Sequence, residues 1–305
     1  MIVVVCPGQG SQKPGFLDPW LSEPRFREQL EALSDAAGLD LVKHGTVSDA
    51  DTIRNTRVAQ PLIVAAGLLT LSALLEGRHD RIGGVAGHSV GELTAAAAAG
   101  ILSEADAMTL VRERGLAMAD AATLAPTGMS AVVGADESEL LSRLSVLGLE
   151  PANYNGGGQI VVAGALAALE TLKDDPPAGA RVIPLQVAGA FHTRYMKPAV
   201  EHLRAVASGL QANDPTLPIW TNHDGTIVTS GDKFVELLVG QVSLPVRWDR
   251  TMDALAAAGV TGVIEVAPAG ALVGLAKRGL KGVPAVAIKG PDDLAAAHDM
   301  IDGER

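Results

Sequence analysis

The chain has a single cysteine, Cys6, among 305 residues, which excludes disulfides within it and cysteine-rich zinc sites. Aromatic residues make up only 3 %, so closely packed, alanine-rich helices are expected in place of a large aromatic core. Positive charge is also scarce: 24 Lys and Arg stand against 35 Asp and Glu, a net charge of −11. A nucleic-acid binder needs a basic surface for phosphates, so that class is set aside. A local basic patch for one acidic partner stays compatible with this balance. No stretch reads as long enough to span a membrane. The N-terminus lacks a basic n-region and enters a strand at once, so no signal peptide is expected. The expectation is a cytoplasmic, reduced protein with no membrane contact and no metal.

What is present is a globular composition, 48 % hydrophobic and 19 % charged, long enough for one large domain or two unequal ones. The most informative stretch is Gly87-His88-Ser89-Val90-Gly91-Glu92. An apolar run enters it and an alanine-rich segment, residues 93–102, leaves it with helical composition. Glycines two before and two after a serine permit the sharp strand-to-helix turn of a nucleophile elbow, with the hydroxyl exposed at its apex. The amide of the next residue then points from a helix N-terminus, where developing negative charge is favoured. A plain Gly-rich turn with an incidental serine is the alternative.

Along the chain, residues 2–6 read as a buried parallel-type strand. It empties into Pro7-Gly8-Gln9-Gly10-Ser11-Gln12, which lacks the spacing of a Walker loop or a dinucleotide fingerprint. Helices are expected at 24–37 and at 61–75. Ser103 caps the helix after the elbow, with Asp106 in its first turn. On that helix Met108, Val111, Gly115, Met118 and Ala122 share one face. Arg112 and Arg114 flank the stripe; periodicity leaves open which enters a site and favours a solvated arginine for both. From residue 127 the order becomes β-α-β-β-α-β, the split unit of a ferredoxin-like subdomain. Alternating helices and parallel-type strands resume at Gly189-Ala190-Phe191-His192-Thr193 and end at a strand near 285–288, before a polar, frayed tail. The fold expected is α/β. A larger α/β-hydrolase-like subdomain with a parallel sheet takes residues 1–125 and 190–305, and a smaller ferredoxin-like (βαββαβ) subdomain is inserted at 126–189.

A serine nucleophile needs a base within hydrogen-bond reach. Of seven histidines, His88 adjoins Ser89, but successive side chains in a tight turn point apart. His192 is the best placed, in a small-residue loop after an expected strand.

These residues, in this order and spacing, resemble the malonyl-coenzyme A:acyl carrier protein transacylases, relatives of the acyltransferase domains of fatty acid and polyketide synthases. The resemblance runs nearly end to end. It includes the Pro7 to Gln12 loop, Gln60-Pro61, the Gly87 to Glu92 elbow, Arg112 through Gly115 and Asn153 to Gly164. It continues through Gly189 to Thr193, Met196-Lys197-Pro198, Pro245-Val246-Arg247-Trp248 and Lys277-Arg278. It implies that Ser89 is the acylated nucleophile and His192 its general base. The main-chain carbonyl of Gln241 would orient that base where other triads use an aspartate. The amides of Gln9 and Val90 would form the oxyanion hole. It also implies that Arg114 grips the malonyl carboxylate through a planar fork of donors, with Met118, Phe191 and Asn155 about the acyl substrate.

The implied substrates, malonyl-coenzyme A and an acyl carrier protein, carry coenzyme A and phosphopantetheine themselves, so no bound cofactor is expected, and the enzyme is expected as a monomer. Val90 and Phe191 match members that select malonyl. Lys277, Arg278 and Lys281, with Arg194 and Lys197, are candidates for meeting an acidic carrier, the alternative being a solvated helix end. Leu244, Ala267 and Ala269 depart from the pattern of relatives, which bears on loop detail. A serine hydrolase would share Ser89 and His192 and differ only in the acceptor, and a catalytically silent interaction module would keep the fold without the site.

Overall fold

A computed structural model describes residues 1–303. β1 (Ile2–Cys6) is the central strand of a parallel sheet. It pairs on one side with β2 (Gly84–Gly87) and on the other with β8 (Gly262–Glu265). β7 (Ile219–Trp220) flanks β2 and β9 (Ala285–Ala287) flanks β8, giving the order β7-β2-β1-β8-β9. Both faces of β1 are covered, which is why its sequence is an unbroken apolar run. Val4 and Cys6 face one core, while Val3 and Val5 face a second core with Trp220, Trp248, Met252 and Leu275.

The first core is built on α4 (Thr56–Leu74), packed against α1 (Pro24–Ala37), α5 (Gly91–Ala98) and α6 (Glu104–Thr123). Two short helices, α2 (Leu41–Thr46) and α3 (Ala50–Arg54), lie between α1 and α4 and were not expected. Each starts at an aspartate whose carboxylate accepts a first-turn amide, Asp40 from Lys43 and Asp49 from Thr52. α4 also begins earlier than residue 61, because Asn55 caps it by accepting the Arg57 amide. The helix runs on through Pro61 with one backbone bond fewer. This lengthening corrects the expectation about membrane spans. α4 is long and apolar enough to cross a membrane by length and composition, with mean hydropathy 1.5, and 83 % of that stretch is buried within the fold.

The second sheet is antiparallel, in the order β4-β5-β3-β6, from β3 (Thr127–Val133), β4 (Glu150–Gly156), β5 (Gln159–Ala165) and β6 (Arg181–Pro184). The β4–β5 hairpin inserts β5 between β4 and β3, the split arrangement expected of βαββαβ. α7 (Glu137–Leu147) and α8 (Leu166–Asp174) cover one face through Val132, Leu140, Leu144, Val162 and Leu172. The opposite face presents Met129, Ala131 and Val161 toward the parallel sheet. β6 ends at Pro184 as an exposed edge strand.

The chain then passes to α9 (Lys197–Ala207), α10 (Gly231–Gln241), α11 (Trp248–Ala257) and α12 (Ala271–Gly279). The tail is largely ordered, against expectation. α13 (Leu294–Asp302) buries Ala297 and Ile301, and Arg78 and Arg81 both bond Asp302. Residues 304 and 305 lie outside the described residues.

Candidate active site

The carboxyl ends of the parallel strands converge beside β1, where ligands bind in open α/β sheets. β1 delivers Gly8 and Gln9, β2 delivers Ser89, β7 delivers Asn222, and β8 leads to α12. Between them and the roof formed by β3, β4 and β5 lies a cleft of about 390 Å³. Gln9, Gln60, His88, Ser89, Val90, Met118, Asn155, Phe191 and His192 line it, with Ala271, Gly274 and Arg278 of α12 along one side.

Ser89 sits at the turn from β2 to α5 with φ of 54°, a left-handed conformation uncommon for a residue with a Cβ. The glycines on either side are required by close approach. A Cβ on Gly87 would lie 2.1 Å from the Gly91 carbonyl carbon, and one on Gly91 would lie 2.1 Å from the Cys6 carbonyl oxygen. The Ser89 hydroxyl is 2.7 Å from His192 Nε2. His192 is itself held at φ of 62°, and its Nδ1–H donates to the Gln241 carbonyl at 2.9 Å. A carbonyl can only accept, so the proton is fixed on Nδ1 and the Nε2 lone pair faces the serine. Burial, and next the Arg114 charge, push the imidazole down to about 3. It is therefore neutral at physiological pH. The amides of Gln9 and Val90 donate to no acceptor among the described residues, which leaves them free for developing negative charge.

The two arginines that periodicity left undecided are separated by tertiary packing. Arg112 lies on the surface against Gly38, whereas Arg114 is fully buried. The solvated reading is thus wrong for Arg114. Its Nη1 donates to Gln60 Oε1 at 2.7 Å, and its Nη2 donates to Gln241 Oε1 at 2.8 Å and approaches Ser89 Oγ at 3.4 Å. It lies behind Ser89 and Gln60 and is not itself part of the cleft wall. Its Nε has no acceptor among the described residues. Burial lowers the guanidinium to about 10, opposed by the Glu92 carboxylate, so it remains a cation.

His88 turns away from the serine and donates from Nε2 to Asn155 Oδ1 at 3.0 Å, while Asn155 Nδ2 donates to Gln159. Met118 and Phe191 are both buried in the cleft wall. Of the basic candidates, Arg278 lines the cleft mouth and Lys277 and Lys281 are exposed. Lys197 is exposed at the start of α9. Arg194 is not free: it pairs with Glu150, bonds the Gly148 carbonyl at 3.0 Å and covers the Tyr195 ring.

Two residues without an assigned part in the sequence reading belong to this site. Asn222, fully buried after β7, accepts the Ser89 amide at 2.7 Å and donates to the Gly87 carbonyl at 2.6 Å. Glu92 accepts the Asn222 amide at 2.6 Å. A polar residue just past a parallel strand was the signal for Asn222, since that end of the sheet is where ligands bind. Glu92 carried no such signal, because an exposed acid in a first helical turn is ordinary.

The family model described as acyl transferase domain matches residues 3–296. The malonyl CoA-acyl carrier protein transacylase of Mycobacterium tuberculosis is 51 % identical over 299 residues, covering 96 % of this chain and 98 % of the relative. The crystal structure of MCAT from Mycobacterium tuberculosis superimposes with a TM-score of 0.95 at 50 % identity, covering 98 % of this chain and 99 % of that one. A malonyl-transacylase in complex with its type II PKS acyl-carrier protein gives a TM-score of 0.93 at 30 % identity, covering 98 % and 99 %. A serine in the cleft paired with a buried histidine, a cation beside the serine, and this extent of similarity make the chain a member of the acyl transferase family.

Proposed function

We infer that the protein transfers a malonyl group from malonyl-coenzyme A to the phosphopantetheine thiol of an acyl carrier protein, through a malonyl-serine at Ser89. The observation that carries this reading is the buried Arg114 cation, 3.4 Å from the serine oxygen and with one N–H unpaired. An unpaired buried donor costs about 1–3 kcal/mol, which a substrate carboxylate removes on arrival. On binding, the malonyl carboxylate pairs with the Arg114 guanidinium and takes up the free Nε–H. An acetyl group offers no such acceptor and leaves the guanidinium unsatisfied.

In the first half-reaction, His192 Nε2 takes the Ser89 proton as Oγ attacks the thioester carbonyl. The tetrahedral oxyanion lies against the Gln9 and Val90 amides, and each such donor is worth about 10²- to 10³-fold in rate. Collapse breaks the carbon–sulfur bond, and His192 returns its proton to the departing thiol of coenzyme A. In the second half-reaction the carrier thiol gives its proton to His192 and attacks the malonyl ester; the carbon–Oγ bond breaks, and Ser89 takes the proton back from His192. The Gln241 carbonyl stabilises the imidazolium formed in each step. Met118 and Phe191 bound the acyl pocket, and Asn155, fixed by His88, lines the same cleft as a substrate-binding residue. The acyl group arrives and leaves on thiols that belong to its carriers, so the reaction is assigned no bound cofactor. The protein acts as a cytoplasmic monomer that supplies malonyl-carrier protein to fatty acid synthesis.

Intact mass after mixing with malonyl-coenzyme A tests this reading. A single malonyl adduct is expected in the wild type, discharged by holo-carrier protein and missing in Ser89→Ala. Absence of any adduct under single-turnover conditions, or discharge to water faster than to carrier, overturns it.

A further inference from the structure

A fully buried carboxylate beside the nucleophile has no part in the transfer described above. Glu92, in the first turn of α5, is 1 % exposed. One of its oxygens accepts the Asn222 amide at 2.6 Å, and the other accepts from the Gln241 side-chain nitrogen. Burial pushes this carboxyl up to about 7, against the downward pull of Asn222, Thr221, Arg114 and Gln241.

The ionised carboxylate only accepts hydrogen bonds. It therefore fixes which way the Gln241 amide faces, with Nε2 toward Glu92 and Oε1 on the opposite side. There Oε1 accepts from Arg114 Nη2 at 2.8 Å. A Gln241 amide rotated by half a turn would set its oxygen against the carboxylate and its NH2 against the guanidinium, two repulsive contacts in a buried space. The same Gln241 nitrogen reaches the Ser89 carbonyl and Asn222 Oδ1, each at 3.2 Å. Glu92 thus terminates a chain of fixed polarity that runs through Gln241 to the cation beside the nucleophile.

We propose that Glu92 is a positioning residue for acyl selection: it locks the Gln241 side-chain amide so that its oxygen holds Arg114 where a substrate carboxylate meets it. This rests on the malonyl-transfer reading above. Glu92 touches neither the acyl group nor the serine hydroxyl.

The test is single-turnover acylation of Ser89 by malonyl-coenzyme A and by acetyl-coenzyme A in the full chain, with thermal unfolding recorded alongside. Glu92→Gln keeps the shape but opposes an NH2 to the Gln241 NH2, so the malonyl-to-acetyl rate ratio is expected to fall about 10- to 100-fold, the worth of a hydrogen bond to a charged group. Glu92→Asp keeps the charge but withdraws it by one methylene, and its ratio is expected to fall less, in the same direction. A purely structural role lowers Tm and both acylation rates together and leaves the ratio untouched. A wild-type ratio in whichever of the two variants folds overturns the proposal. A wild type that forms no malonyl-enzyme instead sinks the transfer reading, and the role of Glu92 falls with it.

Discussion

Ser89 and His192 are the two non-glycine residues with positive φ among the described residues. Such conformations cost roughly 1–3 kcal/mol each and persist where surrounding contacts enforce them. Here Asn222 holds the Ser89 amide, and the His192 amide bonds the Val242 carbonyl at 3.0 Å. The chemistry at this scale turns on two charges. Burial first and the Arg114 cation second depress His192, and in the proposed mechanism that cation meets the substrate carboxylate while the imidazole acts as base only when neutral. Activity is therefore lost as pH falls through the lowered pKa of the imidazole and not near its ordinary value. In Arg114→Ala the malonyl preference is expected to collapse and acetyl transfer to gain relative to it. The acid limb of serine acylation is expected below about pH 5 in the wild type and to move upward in the variant, because a repulsive charge has gone. Undiminished malonyl preference would mean that another group reads the carboxylate.

At the scale of elements, the elbow is set by how closely α5 approaches β1. Gly91 lies against the Cys6 and Pro7 carbonyls, and Gly87 lies against the first turn of α5. Gly91→Ala must push backbone against backbone, since the new Cβ would fall 2.1 Å from the Cys6 oxygen. It is expected to cost about 3 kcal/mol, the upper range for overpacking, and to displace Ser89 from His192. Urea titration reads the first effect and the rate of Ser89 malonylation the second; a wild-type midpoint would refute the close-packing account. α12 is fixed differently. Buried Glu265 accepts the amides of Gly270, Leu272 and Val273, capping the helix that forms one side of the cleft. That cap lies at the end of β8, which ties the cleft wall to the central sheet.

For the whole molecule, the site exists only between two sheets. The parallel sheet carries Ser89, the loop between β6 and α9 brings His192 against the end of α10, and the antiparallel sheet roofs both through Met129, Ala131 and Val161. An acidic carrier would need a basic entrance on this acidic protein, and the exposed pair Lys277 and Arg278 stands at the end of α12, with Arg278 at the cleft mouth. Reversing both charges is expected to raise KM for the carrier at least about tenfold at low salt and to spare KM for malonyl-coenzyme A. Steady-state kinetics with each substrate varied in turn checks this, and equal effects on both would remove the entrance from the carrier's path. Arg194 is a poor target for the same experiment, because Glu150 already holds it.

Local order in the chain is enough for what short-range physics controls: the helix cap at Ser103, the βαββαβ order, and the glycines of the elbow. Through its resemblance to a family the sequence also pointed to Ser89, His192 and Arg114. Residue periodicity alone could not separate Arg114 from Arg112, because both flank one stripe of the same helix and differ only in which neighbour that helix meets. The partners of Asn222 and Glu92 were unreadable for a related reason. Asn222 accepts the amide of a serine 133 positions away, and Glu92 meets a glutamine 149 positions away, partnerships with no local signature. The helical tail was misjudged because its burial depends on α4, whose packing closes only when the chain has folded. Capping and turn geometry act within a few residues and can be read in order. The polarity of a buried network is decided only where distant strands end side by side.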